Sequence, residues 1–158
     1  MKQMNIRIRE YIPIDEESVY KINKETLEVS FKSLYNIFHR NNPDLFLVAE
    51  DLISNKIVGF ILVTITKKFE PRDSGIIYAI AISPNYQNRG IGRKLIEKLS
   101  ENLVRRNIFT LYLHVKESNY KAIQFYSNLG FKKLELVKKF YSWGESAFRM
   151  KLNIQKNN

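Results

Sequence analysis

The chain has 158 residues, 44% of them hydrophobic, enough for one globular domain with a sizeable core. It carries no cysteine, which excludes disulfides, thiolate metal sites and a cysteine nucleophile. Lys plus Arg number 26 against 16 for Asp plus Glu, a net charge of +10 that suits an anionic cofactor, nucleic acid or an acidic surface such as a ribosome.

The start, Met1 to Arg7, has no apolar leader core, and runs such as Ile57 to Val63 are too short to span a bilayer. A cytoplasmic protein with no membrane partner is expected. Ile6-Arg7-Ile8-Arg9 alternates and predicts a first strand. Asp15-Glu16-Glu17 puts acids at a helix start, with Val19, Ile22 and Leu27 on its apolar face. A short helix from Lys32 to Arg40 is broken by Asn41-Asn42-Pro43-Asp44. Leu45 to Glu50 and Ile57 to Thr66 form a hairpin about Ser54-Asn55, and Pro71 to Gly75 is a loop. The apolar run Ile76 to Ile82 is a strand closed by Ser83-Pro84. Ile91, Leu95, Leu99 and Leu103 then recur at helical spacing to about Arg106.

From Phe109 the chain alternates again. Phe109, Leu111, Leu113 and Val115 share one face of a strand, and Thr110, Tyr112 and His114 the other. Ser118-Asn119 caps a helix carrying Ala122, Ile123, Tyr126 and Leu129, which Gly130 stops. Phe131 to Val137 and Phe148 to Leu152 are the last strands, before a polar tail from 153 to 158. The order β-α-α-β-β-β-α-β-α-β-β predicts an α+β fold with mixed α/β layers: a mostly antiparallel central sheet flanked by helices, as a single domain over 1–152.

Between the strand and the long helix lies Gln87-Asn88-Arg89-Gly90-Ile91-Gly92. Strand, glycine loop and helix start are the parts of an anion cradle, in which backbone N–H groups and the positive helix end face a pyrophosphate. Gly90 and Gly92 allow close approach, and Arg89 and Arg93 add charge. The hexamer alone fits an ordinary strand-to-helix turn equally well. It is neither the Gly-Lys-Ser/Thr phosphate loop nor the dinucleotide fingerprint. The basic residues are dispersed, in pairs such as Lys132-Lys133 and Lys138-Lys139. Without zinc-finger spacing or an RNA-binding aromatic signature, no sequence-specific nucleic acid is expected as a partner.

Four segments, in order and spacing, resemble the GNAT-fold acetyltransferases, which use acetyl-CoA and no metal. They are Ile80-Ala81-Ile82-Ser83-Pro84, Tyr86 to Leu95, Leu111 to Asn119, and Ala122 to Lys132 with its Phe125-Tyr126-Ser127-Asn128-Leu129-Gly130-Phe131. Within that family the chain is similar to the protein N-terminal (Nα) acetyltransferases, including the ribosomal-protein alanine acetyltransferases. The Leu113-His114-Val115 run before Ser118-Asn119, and Lys139-Phe140-Tyr141 before Gly144-Glu145-Ser146-Ala147, carry that likeness.

The resemblance implies roles. Ile80, Ala81 and Ile82 supply backbone groups to the pantetheine arm, and Gln87, Asn88, Arg89, Gly90, Ile91, Gly92 and Arg93 form the cofactor loop. Asn119 is a further cofactor contact, with a plain helix cap as its alternative. His114 is the candidate base and Tyr126 the candidate acid toward the CoA sulfur; the alternatives are a packing histidine and a core aromatic. Leu27, Glu28, Val29 and Phe31 resemble the substrate-entrance loop, in which Val29 favours an apolar first residue, and Tyr141 offers a hydroxyl on the substrate side. The chain departs from its relatives at Phe140, where a first tyrosine is usual, and at Ile76, the slot of a tyrosine base in some of them.

The activity implied is direct attack by the α-amino group of a protein or peptide N-terminus on acetyl-CoA in a ternary complex, with a ribosome or an auxiliary subunit as further partners. Two alternatives stand beside it: the same transfer to lysine side chains or small polyamines, and a catalytically silent module that binds ribosomes or RNA through its charge.

Overall fold

The computed structural model describes residues 3–26 and 32–155. The predicted order of elements is the observed one: β1 (Ile6–Glu10), α1 (Glu16–Thr26), α2 (Tyr35–Asn41), β2 (Phe46–Asp51), β3 (Lys56–Thr66), β4 (Ser74–Ile82), α3 (Ile91–Arg105), β5 (Thr110–Lys116), α4 (Tyr120–Asn128), β6 (Lys132–Val137) and β7 (Ala147–Asn153). The seven strands hydrogen-bond in the order β1-β2-β3-β4-β5-β7-β6. The β4–β5 pair is parallel, and β1–β2, β2–β3, β5–β7 and β6–β7 are antiparallel. This is the mixed, mostly antiparallel sheet with helices that the sequence predicts. The chain forms two compact units, residues 1–64 with 78–103, and residues 65–77 with 104–158.

In the first unit, Phe46, Val48, Phe60 and Leu62 point to one face of the sheet, as period-2 alternation requires. They are buried with Tyr11, just after β1, with Val19 and Ile22 of α1 and with Tyr35 of α2. Tyr11 stacks on Phe46 at 4.2 Å. The apolar stripe of α3, Ile91, Leu95, Leu99 and Leu103, is fully buried, and each such side chain contributes about 1.5–3 kcal/mol. Gly59 makes the room that brings β3, the end of β4 and the start of α3 together. A Cβ there would stand 2.8 Å from Ile82 Cδ1, 3.2 Å from the Ala81 carbonyl and 3.6 Å from Ile91 Cγ2. Asn102, near the end of α3, is buried and donates to the Asp44 carbonyl at 2.8 Å.

In the second unit, β5 is buried along most of its length. β7 runs antiparallel to it from Lys116↔Ala147 to Thr110↔Asn153. β6 lies beyond β7, and five of its six residues, Lys132 to Leu136, are exposed. α4 is capped at its start by Asn119, whose Oδ1 accepts from the Ala122 N–H at 3.1 Å. It ends before Gly130, whose φ of 102° is the left-handed backbone that glycine tolerates.

Candidate active site

The candidate residues fall into two clusters, each within one unit. In the first, β4 delivers Ile80-Ala81-Ile82 to Ser83, whose N–H donates to the Val58 carbonyl at 2.8 Å. A short turn over Pro84–Tyr86 leads into the glycine loop, and α3 starts at Ile91. Asn88 and Gly90 have φ values of 60° and 84°. Among the described residues, no atom lies within 4 Å of where a Gly90 Cβ would be. The positive φ favours glycine at position 90, where a side chain would be strained although it would meet open space beyond its chain neighbours. The first N–H groups of a fifteen-residue helix, unpaired within it, follow directly. The structure thus places Ile80, Ala81 and Ile82 at the strand end that leads, through the Gln87–Gly90 loop, into the start of α3 with Ile91 to Arg93.

The loop is braced by a residue outside the predicted set. Tyr86 Oη donates to Asp51 Oδ2 at 2.9 Å, and the Arg89 guanidinium lies over the Tyr86 ring at 5.4 Å. Asp51 also accepts from the Asn5 and Ile53 N–H groups and from Ser54 Oγ. Burial alone would raise its pKa; these hydrogen bonds outweigh it and hold the carboxyl at about 2. Gln87 Nε2 donates to the Ile82 carbonyl at 3.0 Å. A cleft of about 1360 Å³ borders the loop, lined by Asp51, Ser54, Tyr86, Gln87, Asn88 and Arg89 among others.

The second cluster centres on His114. The half-buried imidazole stacks on Phe140 at 4.3 Å, with Phe69 at 6.2 Å. Its Nε2 accepts from Arg149 Nε at 3.3 Å. Burial, then the Arg149 charge, disfavours the imidazolium and takes the pKa down to about 4. Tyr126 is buried, edge-on to Phe131 at 5.5 Å. Burial pushes its phenol well above the ordinary range, and the phenol of Tyr141 adds to the shift. Tyr141 stacks on Trp143 at 4.8 Å, and the Lys116 ammonium lies over both rings. Phe140, stacked on the imidazole, also meets the Tyr141 ring edge-on at 5.0 Å, and Tyr126 lies near enough to Tyr141 to feel its charge. Asn119 serves as the N-cap of α4, the alternative weighed for it above.

Leu27, Glu28, Val29 and Phe31 lie outside the described residues. Sequence reasoning missed Arg149, Phe140 and Phe69 as neighbours of His114. The available signal was the clean alternation of β5 and β7, which pairs His114 with Arg149 once the two strands are placed side by side. Among the described residues, no group of three or more His, Asp or Glu could hold a metal ion.

Residues 7–131 match the acetyltransferase (GNAT) family. The chain is 31% identical over 145 residues to an N-alpha-acetyltransferase of Saccharolobus solfataricus, covering 86% of each protein. It is 32% identical over 129 residues to the [ribosomal protein bS18]-alanine N-acetyltransferase of Haemophilus influenzae, covering 80% of this chain and 82% of that one. The fold superposes on the crystal structure of Ard1 from Thermoplasma volcanium with a TM-score of 0.85 and 27% identity, over 96% and 99% of the two chains. Matched by that family's model along residues 7–131 and by relatives along most of its length, the chain belongs to the GNAT acetyltransferase family.

Proposed function

We propose that this protein is an acetyl-CoA-dependent N-acetyltransferase that acetylates the α-amino group of protein or peptide N-termini. The observation that carries the reading is its likeness, along 86% of the chain, to an N-alpha-acetyltransferase. The catalytic roles rest on the cluster of His114, Tyr126 and Tyr141. The domain responsible spans residues 1–152.

An α-amino group has a pKa of about 7.7–8.0, so roughly a third is already neutral near pH 7.5. Its lone pair attacks the thioester carbonyl carbon; the C–N bond forms and the C–S bond breaks. The new nitrogen cation is bonded to a carbon bearing oxygen and sulfur, which makes it more acidic than the free ammonium. Neutral His114 takes its proton, directly or through water. Tyr126 donates its phenolic proton to the departing CoA thiolate and is reprotonated from solvent before the next turnover. The products are the N-terminal acetamide and CoA, and no enzyme nucleophile takes part. The Gln87–Arg93 loop holds the pyrophosphate of acetyl-CoA, and the strand end Ile80–Ile82 its pantetheine arm. Tyr141 faces the acceptor, and Val29 meets its first, apolar side chain.

The test is acetyl transfer to short peptides with free N-termini, varied at the first two positions, beside N-terminally blocked lysine peptides and spermidine. Transfer confined to free N-termini, strongest with an apolar first residue, is expected. Transfer to blocked lysine peptides or spermidine would overturn the α-amine reading.

A further inference from the structure

Across the second unit, the register aligns three polar side chains in one row. Arg149 on β7 is the direct partner of His114 on β5 and of Glu135 on β6. Directly opposed residues point to the same face of a sheet, so the three side chains meet. Arg149 donates from Nε to His114 Nε2 at 3.3 Å and forms an ion pair through Nη1 with Glu135. Its guanidinium lies over the Phe69 ring at 4.3 Å. Three partners from three separate segments therefore fix this side chain, which is only 21% exposed. The imidazole is fixed in turn by Arg149 on one edge and by Phe140 stacked on its face.

A guanidinium has donors and no acceptor. The His114 nitrogen that faces it must carry the lone pair, and in the neutral ring the proton then sits on Nδ1. We infer that Arg149 is a positioning residue: it holds His114 in the tautomer and orientation in which the imidazole accepts the proton released during acetyl transfer. Glu135, on the far side of Arg149, keeps the guanidinium in place. The inference rests on the reading of His114 as the proton acceptor.

The chemistry follows from the row. The proton leaving the substrate nitrogen is received at His114 Nε2, as the long Arg149 Nε–H bond yields to substrate or water. Arg149 keeps its ion pair with Glu135 throughout. An imidazolium beside a guanidinium is disfavoured, so the ring passes the proton to solvent and returns to the neutral form before the next turnover. Other charged groups about this face include Lys116 on β5, Lys151 on β7 with Lys132 opposite it on β6, and Glu145 in the β6–β7 loop. Lys116 lies over Tyr141 and Trp143, Lys151 over Tyr112, and Glu145 accepts from the Trp143 indole.

The chain has two histidines, so His39→Gln leaves His114 as the only imidazole signal for nitrogen NMR. In that background the Nδ1–H tautomer is expected across pH 6–9. Arg149→Met keeps an apolar stem over Phe69 and removes both donor and charge. It should give a mixed tautomer, raise the His114 pKa by about one unit, and lower kcat about tenfold at pH 8 with both KM values within twofold. Arg149→Lys, which restores a charged donor, should recover most of the tautomer preference and of kcat. An unchanged tautomer in Arg149→Met would overturn the inference, and so would a changed tautomer with wild-type kcat. If the wild type acetylates no free N-terminus, the reading of His114 fails in the wild type itself; failure of the Arg149 inference shows against an active wild type.

Discussion

A histidine half-buried beside a guanidinium stays uncharged at neutral pH, and at position 114 this decides what the rate reports. With its pKa near 4, the imidazole is neutral wherever the acceptor amine is partly neutral. The acid limb of kcat/KM should therefore follow the amine, moving when a peptide of different α-amine pKa is used, with no inflection near 6.5. An acid limb fixed near 6.5 for every peptide would contradict the assignment. On the alkaline side, the Tyr126 phenol is raised by burial and stays protonated, so it introduces no fall up to about pH 9. Tyr126→Phe should lower kcat by about a hundredfold and leave both KM values near wild type. At this scale the sequence was informative about identity and silent about neighbours. His114 and Tyr126 could be named as candidates from the motifs that carry the family likeness. Arg149 was one residue in an alternating run, and its contact with His114 depends on β7 lying between β5 and β6, a long-range pairing with no local signature.

At the scale of elements, the legible parts were those with strong periodicity. α3 could be read from Ile91, Leu95, Leu99 and Leu103, because a helix that buries one stripe must repeat its apolar residues at that spacing. Strand β6 was also legible, but its exposure was not: an edge strand with a loose register keeps the same alternation as a buried one. The brace of the glycine loop was equally hidden. Asp51 and Tyr86 are 35 residues apart, and Asp51 lies outside every segment that carries the family likeness. The Asp51 carboxyl is lower in the folded chain, at about 2, than in an unfolded one, so its stabilisation is present above about pH 4 and is lost as pH falls through 2. Asp51→Asn should lower Tm at pH 7, and the gap to wild type should close between pH 4 and 2. The same variant should raise KM for acetyl-CoA several-fold with little change in kcat, since it loosens Tyr86 beneath Arg89. A gap in Tm that is constant across that pH range would refute the ionised role of Asp51.

At the scale of the whole molecule, the charge of +10 is far from neutral. Among the described residues, no helix is long and apolar enough to cross a membrane. The lysines of β6 are exposed, and those after it occupy a turn in which Lys139 has a φ of 53°. If N-termini are acetylated as chains emerge, these pairs suit the polyanionic surface of a ribosome. Replacing Lys132 and Lys133 by Glu should weaken co-sedimentation with ribosomes at low salt and leave kcat/KM on short peptides unchanged. Co-sedimentation equal to wild type, with the same salt dependence, would remove that role. The sequence showed the net charge, and the fold then showed that one lysine pair stands on an exposed edge strand.

The chain has a single tryptophan, Trp143, stacked on Tyr141 and hydrogen-bonded to Glu145 in the β6–β7 loop. The molecule's one indole thus stands against the aromatic residue proposed to face the incoming peptide. Its emission maximum and quenching report on that loop alone, free of any competing indole. Rapid-mixing experiments on the unlabelled protein can therefore time peptide arrival and product departure separately from the chemical step, and show which of the three limits turnover.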